Sequence, residues 1–208
     1  MSNGVPNDEH EQQKNKILAV ARESFTQKGF EATTTRQINK QAGISEGLLY
    51  YYFPHGKREI LDAIIYQGIV ERTKFIGLSF GDVNSVKDIE QQMTGFFDQV
   101  WQVFKKEENY QSFMITIRER MLLTDDQSKW LLDLMNTILG SLVEFLTKSF
   151  QKLSIDTSNV QQIAEIIMSI FQKVIYDELL IKNDRKTSSA VVAGVEQQIH
   201  VLLTLVSK

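Results

Sequence analysis

Residues 33–57 read TTTRQINKQAGISEGLLYYYFPHGK, and the punctuation of this stretch decides the fold. Thr33, Thr34 and Thr35 place hydroxyls at a helix start, where side-chain oxygens satisfy backbone N–H groups that have no intrahelical partner. Ile38 and Ala42 stand four apart and share one face of that helix. Gly43 ends it, because glycine takes the left-handed conformation of a C-terminal cap without a Cβ penalty. Ile44 is the apolar residue of the turn, Ser45 is placed to cap a second helix, and Pro54 stops that helix after Phe53. Two short helices joined by a tight turn around a glycine are helix-turn-helix geometry.

The second helix carries an unusual surface. Leu49 and Phe53 lie four apart and are expected to face the core. Tyr50, Tyr51 and Tyr52 follow one another at about 100° steps, so they cannot all be buried on one face. One of them is expected in the core and the others outside. A mixed core-and-surface role is the plain reading. Phenol hydroxyls on the outer face of such a helix are also donors suited to phosphate oxygens, which favours contact with DNA.

Upstream, a helix is expected over residues 14–28, with Ile17, Leu18, Ala21 and Phe25 on the face that packs against the motif. Gly29 followed by Phe30 reads as its C-cap with the accompanying apolar contact. Residues 1–13, polar with Gly and Pro, read as a flexible tail in which His10 is solvated. Downstream, Gly56 and Lys57 open a long helix through Ile60, Leu61, Ile64, Ile65, Gly68 and Ile69.

The string ILAVARESFTQKGFEATTTRQINKQAGISEGLLYYYFPHGKREIL, residues 17–61, resembles the DNA-binding domain of the tetracycline-repressor (TetR) family. Gly29-Phe30, Thr34-Thr35, Ala42-Gly43, Gly47, Leu49-Tyr50, Tyr52-Phe53 and Lys57 fall where that family's pattern places such residues. The Pro-His-Gly-Lys connection is one residue longer than the family's common version. The resemblance implies that Thr34, Thr35, Tyr51 and Lys57 hold phosphates, with Ser45, Tyr50 and Tyr52 beside them. It implies that Arg36 reaches a base; arginine to guanine is the commonest specific contact. Gly47 would let the recognition helix lie close to the groove, and Leu48 would offer apolar contact to a thymine methyl. Glu46 departs from the basic or neutral residues common there. It could accept from a cytosine amino group, cap its own helix or face solvent.

Composition fits this picture. Residues 11–60 carry eight Lys/Arg against five Asp/Glu, whereas residues 75–208 carry thirteen against seventeen. A mildly basic N-terminal piece on an acidic body, in a chain of formal charge −3, suits local DNA contact rather than indiscriminate coating. With no cysteine there are no disulfides, thiolate chemistry or Cys-ligated zinc. The three histidines are scattered and make no metal site, and no cofactor is expected. No apolar run reaches the ~18 residues of a membrane span, and the N-terminus lacks a signal peptide's apolar core. The expectation is a soluble cytoplasmic protein without a membrane partner.

The expected organisation is all-α: tail 1–13, helix-turn-helix domain 14–56, connecting helix 57–81, and a helical ligand-binding and dimerisation domain 82–208. Gly77, Gly81 and Asn84 mark the boundary. Beyond it, helices are expected over residues 89–104 and 110–123. Thr124 with Gln127, and Ser158 with Gln161, have capping-box spacing before two further helices. Large soft side chains crowd this region: Phe97 and Trp101, then Phe113, Ile117 and Met121, then Trp130 and Met135, and finally Phe171. Ordinary core is the plain reading; an apolar or aromatic effector held among them is the functional one. Arg118, Glu119 and Arg120 interrupt the stretch and are expected to be solvated. The last two long helices are apolar over more than one stripe. Ile167, Ile170, Val174, Val195, Ile199 and Leu202 are taken as the face that meets a second copy, with Ala190 and Gly194 permitting close approach.

The resemblance thus implies a homodimeric regulator on a palindromic double-stranded operator, a repressor released by a small molecule. Two other readings stand beside it. One is a DNA-binding member with a ligand-independent structural or protein-mediated role. The other is an all-helical enzyme, against which no acid, base and nucleophile stand at recognisable spacing.

Overall fold

The computed structural model describes residues 5–73, 80–186 and 189–207. Among them there is no strand. The elements are α1 (Val5–Lys28), α2 (Thr35–Ala42), α3 (Glu46–Tyr52), α4 (Lys57–Thr73), α5 (Val86–Lys105), α6 (Glu107–Arg118), a 3₁₀ turn (Arg120–Leu122), α7 (Asp125–Leu153), α8 (Val160–Ile175), which runs into a π-helical turn (Tyr176–Ile181), and α9 (Ser189–Val206). The all-α expectation holds. The expected flexible tail does not: α1 begins at Val5, nine residues before the expected start at Lys14. Proline is tolerated in a first helical turn, so Pro6 is no barrier there. Gly77, used with Gly81 and Asn84 to place the domain boundary, lies outside the described residues.

The chain forms two compact units, and their division differs from the expected one. The first comprises residues 1–70 together with 107–128; the second comprises 71–106 and 129–208. The expectation assigned everything after residue 81 to one domain, yet α6 and the 3₁₀ turn pack with the helix-turn-helix.

In the first unit Ile17, Leu18, Ala21 and Phe25 of α1 are buried, as are Ile38 and Ala42 of α2, Leu49 and Phe53 at α3, and Ile60, Leu61, Ile64 and Ile65 of α4. Each of the larger of these side chains contributes roughly 1.5–3 kcal/mol of hydrophobic stabilisation, the two alanines about half as much or less. Polar ties then set how α1 meets its neighbours. Gly29, at φ +86°, ends α1, and its N–H donates to the Phe25 carbonyl. A Cβ there would stand 3.2 Å from the Arg118 guanidinium, so both backbone conformation and space select glycine. Arg118 donates to the Thr26 carbonyl (3.1 Å) and to the Phe25 carbonyl (3.5 Å), which also accepts the Gly29 N–H, in the last turn of α1. Glu119 accepts the Phe30 N–H at 3.1 Å. The expectation that Arg118 and Glu119 are merely solvated is therefore corrected: both close the end of α1 from α6, about ninety residues away in sequence.

A second set of ties joins α4 to the segment after α6. Arg58 donates to the Leu122 carbonyl and pairs with Asp62, which accepts from Gln127 at 3.0 Å. Gln127 also completes the expected capping box with Thr124, accepting the Thr124 N–H at 3.0 Å while its own N–H reaches the threonine hydroxyl. Arg22 of α1 is almost wholly buried. It donates to Gln67 of α4 at 3.0 Å, while its Nε has no partner. Burial pushes the Arg22 guanidinium pKa down, and Glu108 opposes this.

In the second unit α5 packs against α9, and α8 against α9. Ser85 caps α5 by accepting the Asp88 N–H. Lys152 of α7 ties down residues 82–84 by bonds to Asp82 (2.7 Å) and Asn84 (3.1 Å). The capping box expected at Ser158 is absent. Ser158 instead donates its hydroxyl and its N–H to Asp156, and Asn159 precedes α8 without a side-chain cap. A carboxylate two residues back is a stronger acceptor, and it captures the serine in a local turn.

The assigned dimerisation stripe is also corrected. Ile167, Val195 and Ile199 are fully buried within the chain's own core, while Ile170, Val174 and Leu202 are only half-buried. The outward apolar residues of α8 and α9 are instead Ile166, Val201 and Leu205, at 46, 52 and 66% exposure. By length and composition α7 and α9 could each span a membrane. A packed core helix has the same composition, and both contribute side chains to the core of the second unit.

Candidate nucleic-acid interface

The geometry of the motif follows from its caps. Thr34 has extended backbone (φ −112°, ψ 152°) and its hydroxyl accepts the Gln37 N–H at 3.2 Å. The Gln37 side chain reaches back to the Thr34 N–H at 2.9 Å, a full capping box. Gly43 takes the left-handed conformation (φ +66°) and its N–H returns to the Asn39 carbonyl. Ser45 then caps α3, accepting the Leu48 N–H at 3.2 Å. Thr33, expected at the helix start, is fully buried instead and donates to the Gly29 carbonyl at 2.8 Å. It joins the turn to the end of α1.

With Ile38, Ala42, Leu49 and Phe53 inward, the opposite faces of α2 and α3 are open. Thr34, Arg36, Gln37 and Lys40 of the first helix are exposed and Thr35 is half-buried. On α3, Ser45, Glu46 and Gly47 are exposed and Leu48 is half-buried. A Cβ on Gly47 would meet no atom within 4 Å, so this face of α3 is bare backbone open to a close-fitting partner. None of the three tyrosines is buried: Tyr51 is 67% and Tyr50 42% exposed, and Tyr52 is half-buried. The expectation that one belongs to the core is corrected, since Leu49 and Phe53 already fill that side. Tyr50 lies against the next turn, its ring 3.2 Å from where a Cβ of Gly56 would stand.

Lys57 is placed differently from the other expected contacts. Its Nζ donates to the Phe30 carbonyl at 2.7 Å and sits over the Phe30 ring, 4.1 Å from the centroid. The ammonium therefore secures α4 to the turn after α1, as a hydrogen-bonded cation on an aromatic face. The longer connection, with Gly56 at φ +62°, precedes it.

Two features were missed in the sequence. Lys40 stands exposed on α2 beside Arg36 and was not counted. The first turns of α1 reach α3, where His10 meets Tyr51 and Tyr52. A clue to the second was present: after Pro6 the segment NDEHEQQKNK contains neither glycine nor proline, and nothing in it breaks a helix.

The matched family description is "Bacterial regulatory proteins, tetR family", over residues 17–64, which run from the middle of α1 into α4. Residues 17–64 are thus similar to the N-terminal domain of the TetR family. Among its relatives, an uncharacterized HTH-type transcriptional regulator of Bacillus subtilis (strain 168), YxaF, is 43% identical over 60 residues, 28% of this chain and 31% of that protein. The chain thus spans about a third of that relative's length. A TetR-family regulatory protein from Rhodococcus RHA1 shares the fold at a TM-score of 0.64, with 18% identity over 94% of this chain and 97% of that one. The SmeT–triclosan complex does so at 0.60, with 18% identity over 95% and 92%. The TetR-type domain is thus matched in sequence, and the remaining helices in fold.

The eight side chains expected around an effector are not brought into one site. Phe97 lies 6.0 Å from Trp101 and 5.2 Å from Phe171, ring to ring, and all three are buried in the second unit. Trp130 and Met135 lie on α7 in that unit, exposed and half-buried. Phe113, Ile117 and Met121 belong to the first unit, and Met121 is 85% exposed.

The Lys57 geometry gives a first test. Lys57→Met keeps the aliphatic stem but removes the donor and the cation, and should lower stability by about 1 kcal/mol in denaturant titrations. A variant as stable as the wild type would show that the bond to Phe30 contributes nothing.

Proposed function

We propose that the chain is a homodimeric DNA-binding transcriptional regulator, a repressor that a small apolar or aromatic molecule releases from a palindromic operator in the cytoplasm. The observation that carries this reading is the doubly capped α2–Gly43–α3 motif in a TetR-type domain, with its polar and phenolic face open. The TetR-type domain over residues 17–64 favours this reading over the enzymatic alternative. Thr34, Thr35, Tyr51 and Lys40 are suited to hold phosphates, and Arg36 to reach a base edge. Selection of bound sequences from a random DNA pool tests the reading and supplies the operator. Arg36→Ala should then weaken binding by about 1–3 kcal/mol and relax preference at one base pair. Unchanged affinity and preference would remove Arg36 from the interface.

Dimerisation is supported by the apolar residues that the single chain leaves outward, Ile166 on α8 with Val201 and Leu205 on α9, beside the open face at Ala190 and Gly194. One short recognition helix reads few base pairs, so a paired copy supplies the second half-site about one DNA turn away. Leu205→Asp should yield a folded monomer with weakened operator binding in analytical ultracentrifugation and titration. Val195→Asp should unfold the second unit, since that side chain is core. If Leu205→Asp stays dimeric, the partner face lies elsewhere.

The effector is supported by the buried ring cluster of Phe97, Trp101 and Phe171, in which Trp101 Nε1 has no hydrogen-bond partner. A buried unpaired donor costs about 1–3 kcal/mol and is the polar handle an otherwise apolar ligand would use. SmeT, of like fold, is known as a complex with triclosan. A halogenated or phenolic aromatic compound should quench Trp101 fluorescence and weaken operator binding over one concentration range. Occupancy that leaves operator affinity unchanged would refute release by such a ligand.

A further inference from the structure

The first turns of α1 run past the end of the recognition helix, and three rings meet there. The His10 imidazole lies 4.6 Å from the Tyr52 ring, tilted by 59°, and 5.9 Å from Tyr51, edge-on at 76°. Tyr51 and Tyr52 contact each other edge to face at 5.2 Å and 81°. Glu9, Gln12 and Gln13 line the groove between α1 and these tyrosines. All of this lies within one compact unit. The contact joins positions about forty residues apart, and residues 5–16 lie outside the stretch matched to the family.

Tyr51 and Tyr52 close the short helix α3, and neither is held by the core. Left alone, a side chain 67% exposed at a helix end would sample several rotamers, and fixing it on a phosphate would cost entropy at binding. A ring packed against it from a second helix removes much of that freedom beforehand. Edge-on and tilted ring pairs at these distances are attractive, because the positive edge of one ring meets the negative face of the other. Neither glutamine nor Glu9 can offer such a surface. The contact uses the shape and quadrupole of the imidazole, so it does not depend on charge.

We infer that His10 is a positioning residue for DNA: its ring clamps Tyr51 and Tyr52, presenting the phenols at the end of the recognition helix in one arrangement before DNA arrives. The first two turns of α1 are thereby part of the DNA-reading apparatus. This rests on the DNA-binding reading above, and the experiment separates the two.

Operator DNA is selected with the wild-type full-length chain, and affinities are measured for His10→Ala, His10→Phe, Tyr52→Ala and the double variant His10→Ala/Tyr52→Ala. Loss of the ring should weaken operator binding about two- to tenfold, the range that an aromatic pair's contribution gives. His10→Phe should restore affinity to within about twofold, because the ring contact is kept while the imidazole nitrogens are lost. In the Tyr52→Ala background, His10→Ala should cost less than in the wild type, the signature of coupled residues. Circular dichroism melts of the single variants should match the wild type, since His10 is only half-buried. Equal affinity of His10→Ala and wild type would overturn the inference. So would a weak His10→Ala that His10→Phe fails to rescue, which would assign the effect to the imidazole's nitrogens or charge. A wild-type chain that selects no DNA would overturn the DNA-binding reading itself, whatever His10 does.

Discussion

The residue on which the first unit turns is Phe30, because its backbone is bonded in both directions to distant parts of the chain. Its N–H goes to Glu119 at 3.1 Å and its carbonyl to Lys57 at 2.7 Å, while its ring carries the Lys57 ammonium. One residue earlier, Gly29 makes the left-handed turn and gives its carbonyl to Thr33. Just before that, Arg118 donates to two carbonyls in the last turn of α1. A helix end needs partners for its last carbonyls, and here Arg118 of α6 supplies one for Thr26. Moving α1, α4 or α6 away from this corner strands at least one backbone group. A stranded buried group costs about 1–3 kcal/mol, a large share of the stability a small domain has to spare.

That corner also explains why the face of the motif carries so little positive charge. Lys57 is drawn inward to Phe30, leaving Arg36 and Lys40 as the exposed cations of α2 against Glu46 on α3. Affinity that rests on few phosphate contacts depends weakly on salt and is low for any single motif. The balance then falls to hydrogen bonds from hydroxyls and phenols, which need correct placement more than charge does. An interface of this kind gains from whatever fixes its tyrosines.

What the sequence made legible was set by distance along the chain. The caps at Thr34, Gly43, Ser45 and Thr124 are exchanges within about five residues, so residue type and spacing nearly determine them. Ser158 failed on the same scale, because Asp156 competes for the serine more strongly than the coming helix does. Arg118, Glu119, Lys57 and His10 could not be read, since nothing next to them in sequence announces partners 27 to 93 residues away. On α9 the apolar residues occupy more than one stripe, and periodicity alone does not say which stripe faces the chain's own core. α9 packs on both α5 and α8, and Val195 and Ile199 went inward while Val201 and Leu205 stayed outside. The motif was therefore visible before the structure, and its supports were not.

The placement of α6 carries the argument one step further. Residues 107–128 pack with the helix-turn-helix, yet in sequence they are flanked on both sides by segments of the second unit. The chain thus enters and leaves this segment from the unit that holds the Phe97, Trp101 and Phe171 cluster. A ligand can shift an equilibrium only by its differential affinity for two states, and couplings between sites are typically ~1–3 kcal/mol. That is the size of one or two charge-assisted hydrogen bonds, such as those from Glu119 and Arg118 to the end of α1. Losing these bonds would free the end of α1 from α6, while Arg22 would still tie α1 to Gln67 of α4. Near the other end of the same helix, His10 touches the tyrosines of α3. The cap at one end of α1 and the ring contact at the other thus tie both α6 and the tyrosines of α3 to a single helix within the first unit.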